Sequence, residues 1–256
     1  MSDGDGVSGL KFAGIRELIL PATVLACFVL YYVLELDGWV VVSVAVPMVL
    51  LYALAPAWAE SSAARFDRDL VRMLSTGRRS SLPSRYALAL GMRWFAPPAV
   101  AAERRAVVAA ENGMPREARA SYRDALREHG RNAPLRVRLG YAHACYELND
   151  DGEAIRAYRD LLAQTASLPG VRRNLAHALV RSGDSLREAL ELIDAEGAGN
   201  SPERELLRAV AYAKLGEHAR ASELAHAGHG AEGALADSLR RELQRVLDGL
   251  SEARPV

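Results

Sequence analysis

Two long apolar runs near the N-terminus constrain this chain more than any other feature. They lie within residues 15–58 and are separated by the polar break Glu35-Leu36-Asp37-Gly38. Each run has about 20 residues, the length that an α-helix needs to cross roughly 30 Å of hydrocarbon. Because both runs are continuous rather than alternating, they favour helices over a β-barrel. We therefore predict a short tail at residues 1–14 and a two-helix transmembrane hairpin at residues 15–58.

The distribution of basic residues predicts the orientation of this hairpin. The polar break carries Glu35 and Asp37 and no basic residue, whereas Lys11 and Arg16 precede or begin the first run. Many arginines follow the second run: Arg65, Arg68, Arg72, Arg78, Arg79 and Arg85. Since positively charged flanks stay in the cytoplasm, we predict a multi-pass protein with both termini cytoplasmic. The strong preference for Arg over Lys is typical of a GC-rich genome, and we assign the chain to a bacterial inner membrane.

An alternative interpretation starts from Ala57-Trp58-Ala59, which resembles the cleavage site of an exported protein. Cleavage there would release the remainder of the chain outside the cytoplasm. A full apolar span before the site, without a positive segment directly ahead of it, argues against export, as do the basic residues that follow.

Residues 59–98 form a predicted basic amphipathic connector. A helix over residues 60–76 would place Phe66, Leu70, Met73 and Leu74 on one face. Two interpretations remain open. The helix can lie on anionic headgroups, with membrane contact by Arg65, Arg68, Arg72, Arg78 and Arg79, or it can continue from the membrane and pack against the next helix. A second short helix over residues 84–95 is expected to pack Tyr86, Leu90, Trp94 and Phe95 on the region that follows.

The composition excludes some classes of function. The formal net charge is zero, so no overall field attracts nucleic acid. The two cysteines, Cys27 and Cys145, lie in an apolar run and in a distant helix, which makes an internal disulfide improbable and suits a reducing compartment.

An internal repeat follows the connector. Each copy has a glycine or asparagine between two helical segments and then an alanine in the second segment. These alanines, Ala118, Ala154, Ala189 and Ala221, are separated by 36, 35 and 32 residues. A period close to 34 residues is typical of stacked helix–turn–helix units.

This pattern resembles the tetratricopeptide repeat (TPR) over about residues 99–230. The family's small first-helix residue matches Ala106, Ala142, Ala176 and Ala209, and its turn residue matches Gly113, Asn149, Gly183 and Gly216. The family's early tryptophan is absent, its closing proline is displaced or missing, and the third turn has one extra residue. The resemblance implies an all-α fold, with an α-solenoid of about four helix pairs after the membrane hairpin. The amphipathic segment 231–250 would be the capping helix.

The resemblance also implies that partner proteins bind on the concave face, which the first helix of each repeat forms. The matching polar positions are Arg136, His143, Tyr146, Glu147, Arg173, Asn174, His177 and Arg181. They resemble the basic and amide clamp that holds a carboxylate in some relatives, although the lysine–asparagine pair of the first repeat is missing. We therefore expect an acidic or polar partner segment held by arginine. The alternative is an ordinary solvated face rich in arginine.

No motif predicts catalysis. His218, His226 and His229 have no cysteine or carboxylate at a known ligand spacing, so we predict no metal site. No phosphate-binding loop or nucleophile motif occurs, and we predict neither a cofactor nor enzymatic activity. The expected function is that of a membrane-anchored scaffold or adaptor for a partner protein. The alternatives are an assembly factor similar to the TPR proteins of cytochrome c maturation, and an accessory subunit of a membrane protein complex.

Overall fold

The computed structural model of the chain describes residues 15–34, 37–165, 169–195 and 201–252. This part is all-helical and contains no strand. Its helices are α1 (Ile15–Phe28), α2 (Gly38–Ser75), α3 (Leu82–Leu88), α4 (Leu90–Phe95), α5 (Pro98–Glu111), α6 (Pro115–His129), α7 (Leu135–Glu147), α8 (Asp151–Gln164), α9 (Pro169–Ser182), α10 (Leu186–Ala195), α11 (Pro202–Lys214), α12 (His218–Ala227) and α13 (Ala234–Glu252). The predicted tail 1–14 with Lys11, and Glu35 of the polar break, lie outside the described residues.

One described helix, α2, is long and apolar enough to cross a membrane. α1 continues into a π-helical turn, Val29–Val33, and packs against α2. Its apolar part, Pro21–Val33, is shorter than a span requires. The second half of the predicted hairpin thus lies in a helix whose length and composition suit a membrane span. The transmembrane role of the first half stays a prediction.

α2 continues through Trp58 to Ser75 without a break, although it contains Pro47 and Pro56. Beyond the apolar half, its buried side chains Ala59, Ser62 and Phe66 follow one another at spacings of three and four residues. The Phe66 ring lies 5.8 Å from the ring of Tyr86. The apolar face predicted for the connector therefore packs against protein, as in the second of the two open interpretations.

The short helices after α2 correct one expectation. Phe95 is buried and Tyr86 donates a hydrogen bond of 3.3 Å to the carbonyl of Ala101, as predicted for packing residues. Leu90 and Trp94, however, are exposed, so the prediction that they pack on the first repeat was wrong. The reason is a break at Ala89, whose ψ of 54° separates α3 from α4 and turns the second helix to a new direction.

The described chain divides into two compact units, residues 1–137 and 138–256. In the first, α5 packs against α6 and α3 packs against α5. In the second, α9 packs between α8 and α10, while α11 packs against α12 and α13. This division follows packing and does not test the five predicted sequence segments, which stay a prediction.

The alanines and turn residues of the repeat pattern have the environments that it requires. All eight matching alanines are completely buried: Ala106, Ala118, Ala142, Ala154, Ala176, Ala189, Ala209 and Ala221. The four turn residues have left-handed backbones, with φ of 68° at Gly113, 57° at Asn149, 79° at Gly183 and 84° at Gly216. A left-handed residue after a helix lets the following amides bond to the free carbonyls of its last turn.

Candidate protein-binding site in the second unit

A cavity of about 160 Å³ lies in the second unit, among the first helices of three successive repeats and α13. Four of the eight predicted groove residues line it: Tyr146 of α7 and Arg173, Asn174 and His177 of α9. Half of the predicted groove residues thus meet at one cavity, and their role in binding stays a prediction.

His177 is the central polar residue of the cavity. It is only 7% exposed, and its Nδ1 atom lies 2.7 Å from the Oη atom of Tyr146. Its Nε2 atom is buried without a hydrogen-bond partner among the described residues. Burial, with a smaller effect of the nearby Arg181 cation, lowers the pKa of His177 to about 4. The imidazole is therefore neutral at pH 7.

The Tyr146 hydroxyl and His177 Nδ1 share one hydrogen bond, and which of the two donates depends on the tautomer of the imidazole. Nε2, on the other side of the ring, has almost no accessible surface and presents no donor to the cavity in this conformation. Burial also raises the pKa of Tyr146, which keeps its hydroxyl protonated and able to donate.

Arg181 has a different role from the one its position predicted, because it does not line the cavity. Its Nε atom donates to Asp151 Oδ1 at 2.8 Å, and its Nη2 atom donates to the carbonyl of Tyr146 at 2.9 Å. Its guanidinium carbon lies 4.6 Å from the centre of the Tyr146 ring. Arg181 thus holds Tyr146 in place, and Tyr146 in turn positions His177.

Asn174 and Arg173 complete the polar side of the cavity on α9. The Asn174 side-chain amide donates to the buried Tyr158 hydroxyl at 3.3 Å, which fixes its orientation. Burial raises the pKa of Tyr158, so this phenol stays neutral. The Arg173 side chain is exposed, and no described residue forms an ion pair with it. It is available to a carboxylate or a backbone carbonyl of a ligand.

The other predicted groove residues lie elsewhere. His143 and Glu147 are half-exposed on α7, with His143 Nε2 3.6 Å from Glu147 Oε1. Arg136 belongs to the first unit, where its guanidinium forms a bidentate pair with Glu103 that raises the pKa of Arg136. These three residues do not line the cavity.

The predicted membrane-contact arginines are all exposed in the first unit: Arg65, Arg68, Arg72, Arg78 and Arg79. Arg72 Nη1 lies 3.9 Å from Asp69, and Arg79 Nε lies 3.6 Å from Glu111. Their contact with lipid stays a prediction.

Sequence reasoning missed part of the cavity wall. Glu203, Arg204 and Leu207 come from the first turns of α11, and Leu235 and Leu239 come from α13. The α11 residues could have been found, because they follow the register already used for the first helices of repeats two and three. The α13 leucines were recognised as an apolar stripe but were assigned only to a cap.

The cavity combines donors with an apolar wall. Arg173 provides donors, while Ile193, Leu207, Leu235 and Leu239 provide apolar surface. Such a site suits a carbonyl or carboxylate that is next to an apolar side chain. In the part of the chain that the structure describes, no group of three or more His, Cys, Asp or Glu residues is arranged to hold a metal ion.

No protein-family model and no curated protein matches this chain. Solved structures do resemble it. PilF of Pseudomonas aeruginosa is 21% identical with a TM-score of 0.52, over 76% of this chain and 88% of that one. MamA of strain AMB-1 is 15% identical with a TM-score of 0.53, over 69% of this chain and 97% of that one.

YrrB, described as a TPR protein with an unusual peptide-binding site, is 16% identical with a TM-score of 0.50. The match covers 70% of this chain and 87% of YrrB. At these identities the likeness concerns the fold alone. The described residues have an all-helical, TPR-like solenoid fold similar to that of these proteins.

Proposed function

We propose that this chain is a membrane-anchored scaffold that binds a segment of a partner protein in the cavity of its second unit. The partner would be held at the cytoplasmic face of a bacterial inner membrane. The TPR-like fold supports protein binding, and α2 supports membrane attachment.

The observation that carries the binding proposal is the composition of the cavity wall, where the exposed Arg173 side chain lies beside the apolar side chains of Leu207 and Leu239. An acceptor on a bound segment would form a charge-assisted hydrogen bond with the Arg173 guanidinium. An apolar neighbour of that acceptor would cover the two leucines.

The surrounding residues define the chemistry of that segment. A carbonyl or carboxylate oxygen would accept from Arg173, and a neighbouring apolar side chain would contact Leu207 and Leu239. Glu203 is also part of the lining and disfavours a densely acidic ligand. We therefore propose a segment that pairs one acidic or polar residue with an apolar one.

The membrane part of the proposal assigns both termini to the cytoplasm, with α1 and α2 as the membrane hairpin. It is supported by the arginines after the apolar half of α2 and by the acidic residues of the break between α1 and α2. A reporter fused to the C-terminus should be active in the cytoplasm. Activity outside the cytoplasm would contradict this topology and favour the assembly-factor alternative.

The binding proposal is tested with the full chain in lipid nanodiscs and a random peptide library displayed on phage. Enriched peptides should share an acidic or polar residue next to an apolar one. Arg173→Ala should weaken the selected peptides by about fivefold or more, the effect of losing one charge-assisted hydrogen bond.

The matched control is Arg187→Ala, which removes another exposed arginine, on α10 away from the cavity lining. It should leave peptide affinity unchanged. Equal affinities for wild type and Arg173→Ala, or a library without an enriched motif, would contradict binding at this cavity.

A further inference from the structure

Three large apolar side chains are exposed close together at the junction of α3 and α4. Leu88, Leu90 and Trp94 are 72%, 38% and 46% exposed, respectively. They lie in the first unit and are not among the residues that line the cavity described above. Single exposed apolar residues are common, but three within seven positions form a patch that favours a non-aqueous neighbour.

The contact between α4 and α2 shows which part of α2 lies beside this patch. A Cβ atom on Gly91 would lie 3.0 Å from the carbonyl oxygen of Trp58 and 3.1 Å from Ser62 Cβ, so the two helices are in close contact there. The rings of Trp58 and Phe95 are 5.4 Å apart. Trp58 lies near the end of the apolar half of α2, about 30 Å along the helix from its start at 1.5 Å per residue.

Apolar surface is continuous from α2 to this patch. Leu54 and Trp58 of α2 are themselves exposed. Trp58, Leu88 and Leu90 line one surface depression, whose charged lining residues are Arg65, Arg85 and Asp69. A second, largely apolar opening of about 690 Å³ lies between Tyr52 and Pro56 of α2 and the segment from Phe95 to Val100.

This combination of residues has a recognisable chemistry. Tryptophan is enriched at membrane–water interfaces, where its ring contacts acyl chains and its N–H group reaches the headgroups. Arginine side chains beside it extend toward anionic phosphates while their aliphatic parts stay on apolar surface. Leu88, Leu90 and Trp94, with the exposed Arg85 beside them, match both requirements. Arg93 has a different role, since it donates to the Ala87 carbonyl at 3.0 Å and lies over the Tyr86 ring.

We infer that α4 and the end of α3 are inserted into the boundary between headgroups and acyl chains of the bilayer, with Leu88, Leu90 and Trp94 in contact with lipid. This inference rests on the membrane part of the proposed function, because it takes α2 as a membrane-spanning helix. It adds a second point of membrane contact, distinct from the arginines that the sequence predicts to contact lipid. The first unit would then be attached to the membrane surface in addition to its covalent connection to the anchor.

The three tryptophans of the chain provide the test. Trp39→Phe/Trp58→Phe leaves Trp94 as the only tryptophan, which is excited selectively over the nine tyrosines at about 295 nm, and Trp58→Phe/Trp94→Phe leaves Trp39 as a reporter of the anchor. Each full-length variant is reconstituted in vesicles of phosphatidylcholine and phosphatidylglycerol, with or without acyl chains brominated near their carbonyl end. We expect brominated lipid to quench Trp94 by about twofold or more, and aqueous acrylamide to quench it weakly, as for an interfacial side chain.

The other outcomes separate this inference from the anchor. Quenching of Trp39 by brominated lipid with free access of acrylamide to Trp94 would overturn the inference and leave the anchor intact. Protection of Trp94 from both quenchers would identify a protein cover over the patch and overturn it as well. If brominated lipid quenches neither tryptophan, the membrane anchor fails and this inference fails with it.

Discussion

The Oη atom of Tyr146 and the Nδ1 atom of His177 lie 2.7 Å apart, which joins the first helix of one repeat to the first helix of the next. Arg181 fixes this contact from the other side, since it bonds to the Tyr146 carbonyl and stacks on the Tyr146 ring. The cavity beside His177 is therefore built on a chain of three side chains rather than on an isolated polar residue.

The lowered pKa of His177 predicts that stability decreases in mild acid. The folded state keeps this imidazole neutral down to about pH 4, whereas in the unfolded chain it takes up a proton near its ordinary pKa of 6.5. Since the unfolded state binds more protons between these values, the free energy of unfolding should fall as the pH falls, by roughly 1.4 kcal/mol per pH unit. Denaturant unfolding of the full chain in detergent, followed by circular dichroism, measures this slope.

His177→Gln is the matched variant, because glutamine has hydrogen-bonding groups but does not titrate. Its slope between pH 6.5 and pH 4 should be smaller than that of the wild type, with the carboxylates contributing equally to both. Identical slopes would show that His177 titrates normally in the folded state.

Arg181→Ala should destabilise the second unit. The guanidinium bonds to Asp151, Asn149 and the Tyr146 carbonyl, and its loss leaves the mostly buried Asp151 carboxylate without these donors. We expect a loss of about 2–4 kcal/mol in the free energy of unfolding. Arg159→Ala is the control, since its pair with Glu188 is more exposed and should contribute less than about 1 kcal/mol. Similar losses in the two variants would contradict the structural role of Arg181.

Gly91→Val should disturb the packing of α4 on α2. Its first side-chain carbon would lie 3.0 Å from the Trp58 carbonyl oxygen, a backbone atom that cannot move aside without the helix. Overpacking of this kind costs about 1–3 kcal/mol and should also change the fluorescence of Trp58. Gly152→Ala, in a helical position with no atom within 4 Å of the added carbon, should not lower stability. An unchanged unfolding midpoint for Gly91→Val would mean that α4 is not held closely at this level.

Glu103→Ala should destabilise the first unit through a buried carboxylate. Glu103 is almost fully buried and pairs with Arg136 and Arg104, with Arg104 Nη1 3.1 Å from Glu103 Oε2. Removing it takes one carboxylate partner from the mostly buried Arg104, which keeps its bidentate pair with Asp67, at an expected cost of about 1–2 kcal/mol. Asp124→Ala breaks the exposed pair with Arg105 and should cost less than about 1 kcal/mol. The free energies of unfolding of both variants, measured under the same conditions, test this difference. An equal loss in the two variants would contradict the role of the buried carboxylate.

The repeat pattern was predictable because each of its positions has a local requirement. Ala118 and its equivalents lie where two helices approach closely, and only a small residue fits there. Asn149 and the turn glycines lie where the backbone is left-handed, and asparagine and glycine tolerate this conformation best. Each requirement restricts the residue type at one position, so it can be recognised in the sequence.

The features that were not predictable depend on contacts between distant residues. The roles of Arg181 and Leu239 depend on residues that are distant in the sequence. Arg181 donates to Asp151, and Leu239 lines the cavity. The break at Ala89 has no glycine or proline as a signal, so residues 84–95 read as one helix. Conversely, Pro56 is tolerated inside α2, where a proline would ordinarily mark a helix boundary.

The continuity of α2 has a consequence for how a partner would meet the first unit. Seventeen residues separate Trp58 from Ser75 within α2. A flexible glycine- and serine-rich linker of that length would have a root-mean-square end-to-end distance of about 20 Å, so an attached domain could move over that distance. In the proposed membrane arrangement, a continuous helix instead fixes the distance of the first unit from the bilayer and restricts its motion to rotation and tilt of the anchor. A partner of the first unit would then have to present its surface at that distance, so reach would select among candidates as well as affinity.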